Sequence, residues 1–582
     1  MPMEDDWENV EMPLSPSLPQ LSLSSTSNTG TITKPSESSS ECVKMEIDTS
    51  IESEKVKVVQ HDVAQGDCKG TEQMAPTAIS PFLKDVMSAD EKGNYYKQSS
   101  PTSLSFSKKT TCYGSLVKIR KFVSDEGDIK GIHDQEILQT PGFVQRILAL
   151  MKNENADFQY HAIWIATNLF ARPTITATDI FVDAGVTPIL FDLLKSKFDH
   201  VSHQALWTLG NMAGNPGNKY RLMLLEQNVI GKIIKEFSNR LETKSKKFTP
   251  ELKTLSWVLE VLTTGTPICE AKYFLQAMPF MVKMILLECE GEVLYNCIWF
   301  FIHMMTRDNS YPDLIKALIE NAEFVKRIVD LLGHKDRKVR KSSLDLVGNL
   351  AYANSDINIK VLIDAGVLIC LEDLLSSAHV TTRRIVTITL SNFCSGSNQH
   401  IQEILDFGFA NSMADMLKDE KEDVIVKCHI CFFFSNVINE GNHQQFDKLL
   451  KLQVPKLIVA FINKCNLILQ KGQQQHEEGE EKGEKKKEKE TQNSLVAAAE
   501  TLYFLCRKVK DPSFIKYKLD TLVAPADELE STLVPMLAFS NEELKLHIKA
   551  TLDLFKKAED KDDKDDKDVA KKKFCGSCYH SH

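Results

Sequence analysis

One short motif returns along this chain at nearly constant spacing. Seven related segments, from IWIATN to FFFSN, end at these positions: Asn168, Asn211, Val261, His303, Asn349, Asn392 and Asn436. The successive spacings are 43, 50, 42, 46, 43 and 44 residues. A period of ~40–47 residues is typical of armadillo and HEAT repeats, in which two or three helices bury their apolar faces by stacking on neighbouring repeats. The spacing therefore predicts an all-α array.

A second repeated segment supports the same period. FVDAGVTPIL (181–190) and LIDAGVLICL (362–371) each precede one of the motif helices by a similar distance. We expect the glycine in each segment to end a short helix in the left-handed conformation. Amphipathic stretches such as FVQRILALM have helical spacing, and the chain contains no alternating strand pattern of comparable length. These features predict a curved solenoid with a long concave surface.

Changes of texture divide the chain into three regions. Residues 1–112 are rich in Ser, Thr and Pro and lack periodic apolar faces, so we expect them to be disordered. Residues 113–558 form the predicted solenoid, with a charged loop insertion at 471–493. Residues 559–582 form a charged tail, which we also expect to be disordered.

Composition excludes several classes of protein. The fourteen cysteines show no paired framework, the acidic start MPMEDDWENV does not resemble a signal peptide, and no apolar run reaches the ~18 residues of a membrane span. We therefore expect a reduced intracellular protein with no membrane span. The formal net charge of -10 argues against a nucleic-acid binder and favours basic protein partners.

Enzyme and metal motifs are also missing from the sequence. It contains no G-x-x-x-x-G-K-[ST], H-E-x-x-H or G-x-S-x-G motif and no catalytic constellation, so we expect neither an enzyme nor a cofactor. Cys575, Cys578, His580 and His582 are residue types that bind zinc, but they crowd into the last eight residues. We favour an unstructured tail over a metal site.

The repeated motif pairs a tryptophan with an asparagine. Trp207 and Asn211 are four residues apart and share one helix face, as do Trp164 and Asn168. On a concave surface, indoles would form slots for Lys or Arg stems, each worth ~0.5–2 kcal/mol, and amides would bind a peptide backbone. Alternatively, the indole is a repeated core position and the amide caps or bridges a neighbouring loop. We favour peptide binding because a core position needs no amide one turn further along, and a buried unpaired amide costs ~1–3 kcal/mol.

These motifs, in this order, resemble the importin-α nuclear import adaptors. The resemblance covers roughly Leu116 to Lys557 and includes the closing segment SNEELKLHIKATLDLF. It implies a right-handed superhelical armadillo solenoid of about ten repeats, whose ladder binds basic nuclear localisation signals at a major and a minor groove. The implied major-groove residues are Trp164, Asn168, Trp207, Asn211, Trp257 and Trp299. The implied minor-groove residues are Asn349, Asn392, Phe432 and Asn436.

The major groove departs from the family pattern at several positions. Val261 replaces a ladder amide, and Asn215 and Asn296 stand where the resemblance implies acids for the signal's lysines. Arg172 takes the place of a small glycine, and we expect its charge to repel a basic cargo. His303 is interpreted as an amide replacement, because the spacing assigns it no carboxylate partner.

The minor groove departs further from the family pattern than the major groove does. Ile388 and Phe432 stand at tryptophan positions, and Asp345 replaces an arginine. Phenylalanine is a weaker site for cations than tryptophan and isoleucine is none, so we expect the major groove to dominate.

The amino-terminal region lacks the basic segment with which family members bind importin-β and occupy their own groove. The first arginine of the chain is Arg120. The sequence therefore argues against the usual importin-β recruitment and against self-inhibition, whereas the resemblance admits an export receptor as a partner. The predicted function is a nuclear import adaptor of the cytoplasm and nucleus. The alternatives are a non-transport scaffold that binds another extended peptide in the same groove, and a protein whose concave face assembles with one fixed partner.

Overall fold

A computed structural model of the chain describes residues 79–87, 106–124, 132–172, 176–216, 218–243, 249–265, 270–305, 312–352, 356–475, 482–510 and 542–559, with five more between 530 and 537. The described residues belong to two compact units, one extending to Asn349 and one starting at Leu350.

The first unit consists of short and longer helices in a repeating order. Its helices are α1 (Ser80–Met87), α2 (Phe106–Val123), α3 (Ile132–Gln139), α4 (Phe143–Met151), α5 (Ala156–Phe170), α6 (Thr176–Asp183), α7 (Val186–Leu193), α8 (Asp199–Ala213), α9 (Lys219–Glu226), α10 (Val229–Thr243), α11 (Thr249–Thr263), α12 (Met278–Leu286), α13 (Gly291–Met305), α14 (Pro312–Ile319), α15 (Ala322–Leu331) and α16 (Arg337–Tyr352), which crosses the boundary.

The second unit has the same order of helices. They are α17 (Asp356–Asp364), α18 (Val367–Leu375), α19 (Val380–Phe393), α20 (Asn398–Phe407), α21 (Phe409–Lys418), α22 (Val424–Glu440), α23 (His443–Lys451), α24 (Val454–Gln475), α25 (Lys482–Lys510) and α26 (Glu542–Glu559). Among the described residues there is no strand, so the all-α prediction is confirmed.

A repeat consists of two short helices followed by a longer third helix, as in α6, α7 and α8. Gly185 separates the first two of these helices with φ 89°, and Gly366 does the same between α17 and α18 with φ 91°. Only glycine adopts this left-handed conformation without strain. The predicted helix-ending role of the two glycines is therefore confirmed.

The third helices stack on one another within each unit. In the first unit α2, α5, α8, α11 and α13 each contact the next, and in the second unit α19, α22 and α25 do so. Apolar side chains such as Leu206 and Leu209 of α8 and Phe300 of α13 are fully buried beneath this row. The row fixes the position of the tryptophan and asparagine ladder.

The ordered helices begin earlier than the sequence predicts. Helix α1 and part of α2 lie within residues 1–112, which we expected to be disordered. Leu83 and Val86 are 4% and 0% exposed, and the ring centroids of Phe82 and Phe122 are 6.0 Å apart. Packing between α1 and α2 thus orders a short helix whose apolar residues are too few to stand out in a Ser-rich segment.

The charged insertion is also more helical than predicted. Of residues 471–493, those up to Gln475 continue α24 and those from Lys482 begin α25. Lys, Glu and Gln are strong helix formers, so a polar composition alone does not indicate a loop. Residues 1–78, 476–481 and 560–582, including Cys575, Cys578, His580 and His582, lie outside the described part of the chain.

No single helix in the described part of the chain is long and apolar enough to cross a membrane. The bent pair His443–Lys451 and Val454–Gln470 passes that test by length and composition alone, with its two helices at 57°.

Candidate functional site

Three tryptophans line the row of third helices in the first unit. Trp164, Trp207 and Trp257 lie on α5, α8 and α11 and are half-buried. Trp299, which the sequence places next in this row, is only 7% exposed. Three of the four predicted indoles therefore present part of their surface to solvent.

The first indole already holds a cation from the chain itself. The guanidinium carbon of Arg120, on α2, lies 4.1 Å from the centroid of the Trp164 ring. Tyr160 packs on the same indole edge-to-face, with ring centroids 5.3 Å apart. The arrangement is a cation–π contact of the kind predicted for a basic peptide, but its cation is intramolecular.

The ladder amides join neighbouring third helices. Asn211 Nδ2 donates to the carbonyl oxygen of Thr167 at 2.9 Å, and Asn436 Nδ2 donates to that of Ser391, also at 2.9 Å. Asn168 Nδ2 donates to Ser124 Oγ at 2.6 Å. Asn211 and Asn436 thus reach back to the preceding third helix, and Asn168 reaches the residue directly after α2. The alternative that we weighed was a cap or a bridge to a neighbouring loop, and the contact of Asn168 comes nearest to it.

The ladder amides differ in solvent exposure, and only an exposed amide is available to a ligand. Asn211 is 6% exposed and Asn436 is fully buried, whereas Asn168 is half-buried. Since an amide has two N–H donors and an acceptor oxygen, Asn168 keeps hydrogen-bonding capacity beyond its contact with Ser124. Backbone clamping by Asn168 stays a prediction, and Asn211 acts first as a link between α5 and α8.

Val261 replaces an amide where the helices α8 and α11 approach closely. A Cβ atom on Gly210 would lie 2.3 Å from Cζ3 of Trp257 and 2.7 Å from a methyl carbon of Val258. Glycine at this position lets the Trp257 indole lie directly on the backbone of α8. Apolar packing therefore joins these two helices where no amide is present.

Asn215 is a second buried link rather than the remnant of an open acidic pocket. It is 6% exposed, and its Nδ2 donates to the carbonyl oxygens of Phe170 at 3.1 Å and Asn211 at 2.8 Å. Its Oδ1 accepts from Thr178 Oγ1 at 3.2 Å. The two donated hydrogen bonds need an amide, because a carboxylate has no donor.

Arg172 is paired within the chain. Its Nε lies 2.7 Å from Oδ2 of Asp134, and a terminal nitrogen donates to the carbonyl oxygen of Val123 at 3.3 Å. The ion pair compensates the charge that we expected to repel a basic peptide. The sequence did not indicate this pair because Asp134 lies 38 residues earlier in the chain and is brought there only by the fold, and the effect of Arg172 on peptide binding stays a prediction.

His303 has a carboxylate partner, contrary to the sequence interpretation. Its Nε2 lies 3.0 Å from Oε1 of Glu260 on the preceding third helix. The rings of His303 and Trp299 have their centroids 5.2 Å apart. His303 thus occupies a ladder position and reaches back to its neighbour as the amides do, but to an acid.

The residues predicted for the minor groove are mostly buried. In the first unit, Asn349 is 5% exposed, while Asp345 is 1% exposed and lies 3.1 Å from Lys341 Nζ. In the second unit, Asn392 and Asn436 are fully buried and Phe432 is half-buried. Ile388 is 1% exposed, so it is a core residue.

Two histidines beside the indoles are held neutral. Burial lowers the pKa of His161 to about 4, assisted by the nearby charge of Arg120, and burial lowers the pKa of His203 to about 4. Nε2 of His161 lies 3.1 Å from the Tyr113 hydroxyl, and Nε2 of His203 lies 2.6 Å from Thr254 Oγ1. Both imidazoles join neighbouring helices. Within the described residues, no group of His, Cys, Asp and Glu side chains has the arrangement of a metal site.

Known proteins resemble this chain in sequence and in fold. The family profile "Armadillo/beta-catenin-like repeat" matches residues 177–214. Importin subunit alpha-1b of Oryza sativa subsp. japonica is 29% identical over 246 residues, which are 42% of this chain and 43% of that protein. Importin subunit alpha-1a of the same organism is 28% identical over 283 residues, 48% of this chain and 51% of that protein.

A crystal structure of an engineered protein matches the fold with a TM-score of 0.58 and 19% identity, covering 82% of this chain and 98% of the engineered one. The sequence matches span about half the length of the importin subunits. The chain thus has an armadillo-repeat fold and is similar in sequence to importin α subunits.

Proposed function

We propose that this protein is a nuclear import adaptor that holds a basic, extended peptide on the third helices α5, α8 and α11. The observation that supports this best is the row of three half-buried indoles, Trp164, Trp207 and Trp257. The contact between Arg120 and Trp164 also supports the proposal, because there a guanidinium packs on an indole of this row. The proteins that are similar in sequence are named as importin α subunits, which also supports the proposal.

In this proposal the indoles select the ligand. The aliphatic stem of a lysine packs on an indole face while its ammonium stays near solvent, and each such contact contributes ~0.5–2 kcal/mol. Asn168 binds the peptide backbone. Because Asn215 and Asn296 are amides, the binding energy comes from stacking more than from ion pairs.

The proposal also includes the cargo and the cellular location of the adaptor. The cargo is a protein that carries a basic localisation signal, and the adaptor moves between cytoplasm and nucleus, with an export receptor as the route back. Recruitment of importin-β is not part of the proposal. The chain acts by binding and not by catalysis.

The charges of the row favour one second candidate, a scaffold that binds a peptide without a basic cluster. Arg120 covers Trp164, and Lys253 lies one turn before Trp257, where Nζ is 2.6 Å from Glu290 Oε2. A Lys-rich peptide and the same peptide with every Lys replaced by Gln distinguish the two functions. The adaptor predicts that the full chain binds the first at micromolar or lower Kd and the second at least tenfold more weakly, whereas equal affinities favour the scaffold.

Replacing Arg120 with Ala should strengthen binding of the Lys-rich peptide. The change empties the indole slot of Trp164, and a cation–π contact of ~0.5–2 kcal/mol becomes available to a peptide lysine. The expected decrease in Kd is about 2- to 30-fold, measured by fluorescence anisotropy on the full chain.

Lys121→Ala is the matched control, because it removes one positive charge from an exposed position of the same helix. It should change the Kd much less. Equal effects of the two changes would mean that only the overall charge matters and that the slot at Trp164 is not used.

A further inference from the structure

One carboxylate lies on the indole row at a position that the sequence comparison does not assign to any ligand. In the carboxyl-terminal halves of α5, α8, α11 and α13, Glu260 is the sole Asp or Glu. The positions where we expected acids, Asn215 and Asn296, carry amides that are 6% and 7% exposed and bonded within the chain. Glu260 is therefore the carboxylate of these helix halves with which an ammonium group on the row can pair.

The setting of Glu260 suits a cationic side chain. It follows Trp257 by three residues, so its side chain and the half-buried indole lie on one face of α11. Its side chain is 17% exposed, and that of His303 is 20% exposed. Nε2 of His303 and Oε1 of Glu260 are hydrogen-bonded at 3.0 Å, and both side chains remain partly accessible to solvent.

A second observation concerns Trp299, which contacts the His303 ring. The indole is 7% exposed, and its Nε1 is buried without a hydrogen-bond partner. A buried donor with no acceptor is rare in folded proteins. Rotation of His303 away from the indole would open this N–H to an acceptor such as a peptide carbonyl oxygen.

We infer that Glu260, His303, Trp257 and Trp299 form a lysine-binding subsite that His303 closes in the free protein. A peptide lysine lays its stem on Trp257 and its ammonium replaces His303 at the Glu260 carboxylate. Hydrogen bonds between oppositely charged groups are among the strongest in proteins, which favours the exchange. The inference rests on the proposed function and adds to it which side chain of the ligand is read and where.

The test is a double-mutant cycle on the full chain. A labelled Lys-rich peptide is compared with variants in which one lysine at a time is acetylated, against the wild type and Glu260→Gln. Glu260→Gln keeps the side-chain volume and a hydrogen bond to His303. We expect Glu260→Gln to raise the Kd of the unmodified peptide about tenfold. Acetylation of one particular lysine should then no longer change the Kd, whereas acetylation of the other lysines should act as it does in the wild type. Glu251→Gln, in the first turn of the same helix, is the matched control and should leave the Kd unchanged.

The imidazole resonances of His303 give a second measurement. They should shift when the unmodified peptide is added and stay in place with the peptide acetylated at the lysine that the cycle identifies. An unchanged Kd for Glu260→Gln, or equal acetylation effects in both proteins, overturns the subsite and leaves the adaptor proposal intact if Trp207→Ala still abolishes binding. Absence of binding to the wild type overturns both.

Discussion

Asn215→Asp should lower the free energy of unfolding by about 3–5 kcal/mol. The change looks conservative, and by resemblance it restores an acid that binds a signal's lysine. In this structure, however, Nδ2 of Asn215 donates to the carbonyl oxygens of Phe170 and Asn211. A carboxylate would place a buried negative charge against two acceptors, with no described cation bonded to that side chain. Both carbonyl groups would also lose a donor.

The measurement is the midpoint of thermal unfolding, followed by circular dichroism, with Asn155→Asp as the matched control. Asn155 caps α5 at its amino terminus and accepts from the backbone N–H of Asp157 at 2.8 Å. Aspartate caps a helix as well as asparagine does, so this control should shift stability by less than about 0.5 kcal/mol. A fully stable Asn215→Asp protein with tighter peptide binding would contradict the buried link and indicate an open acidic pocket.

Acid should destabilise the chain well before its carboxylates are protonated. Burial lowers the pKa of His161 and His203 to about 4, and burial together with the charge of Arg384 lowers the pKa of His429 to about 3. The ordinary pKa of histidine is 6.5, so between that pH and 4 the unfolded chain binds more protons than the folded chain. Stability is therefore complete above pH 6.5 and falls as the pH is lowered.

The loss is about 2 kcal/mol for each of these histidines at pH 5, and less for His203 because that side chain is only half-buried. Unfolding midpoints measured between pH 7.5 and 5 should fall steadily in the wild type. A triple variant with Gln at His161, His203 and His429 stays neutral and should lose most of this dependence. An equal slope in both proteins would mean that other groups cause the acid sensitivity.

The fold was predictable because it depends on features that repeat in the sequence. Apolar spacing gave the helices, and the ladder period gave the repeats. Gly185 and Gly366 marked helix ends, since their backbone conformation is one that other residues rarely adopt. The helix α1 was missed because Leu83 and Val86 are buried by a partner helix that the local sequence does not reveal.

The site was predictable only in part, because its side chains meet across repeats. The tryptophans follow the period, so their shared row follows from the sequence. The contacts of Arg120 with Trp164, of Asp134 with Arg172 and of Glu260 with His303 join residues 38 to 44 positions apart. No local pattern identifies such pairs. A systematic comparison of each ladder position with the residue one repeat earlier would have been the one available signal, since Asn211, His303 and Asn436 all reach back in this way.

The most direct test of the adaptor proposal is a titration of the full chain with a fluorescent Lys-rich localisation peptide, against Trp207→Ala. The tryptophan is changed alone, because Asn211 links α5 to α8 and its loss would also disturb the fold. Phe407→Ala, at a half-buried aromatic of the second unit that belongs to neither predicted groove, is the control. The proposal predicts micromolar or tighter binding to the wild type and to the control, and a loss of at least tenfold in Trp207→Ala. Equal binding to all three proteins, or no binding to the wild type, would contradict it.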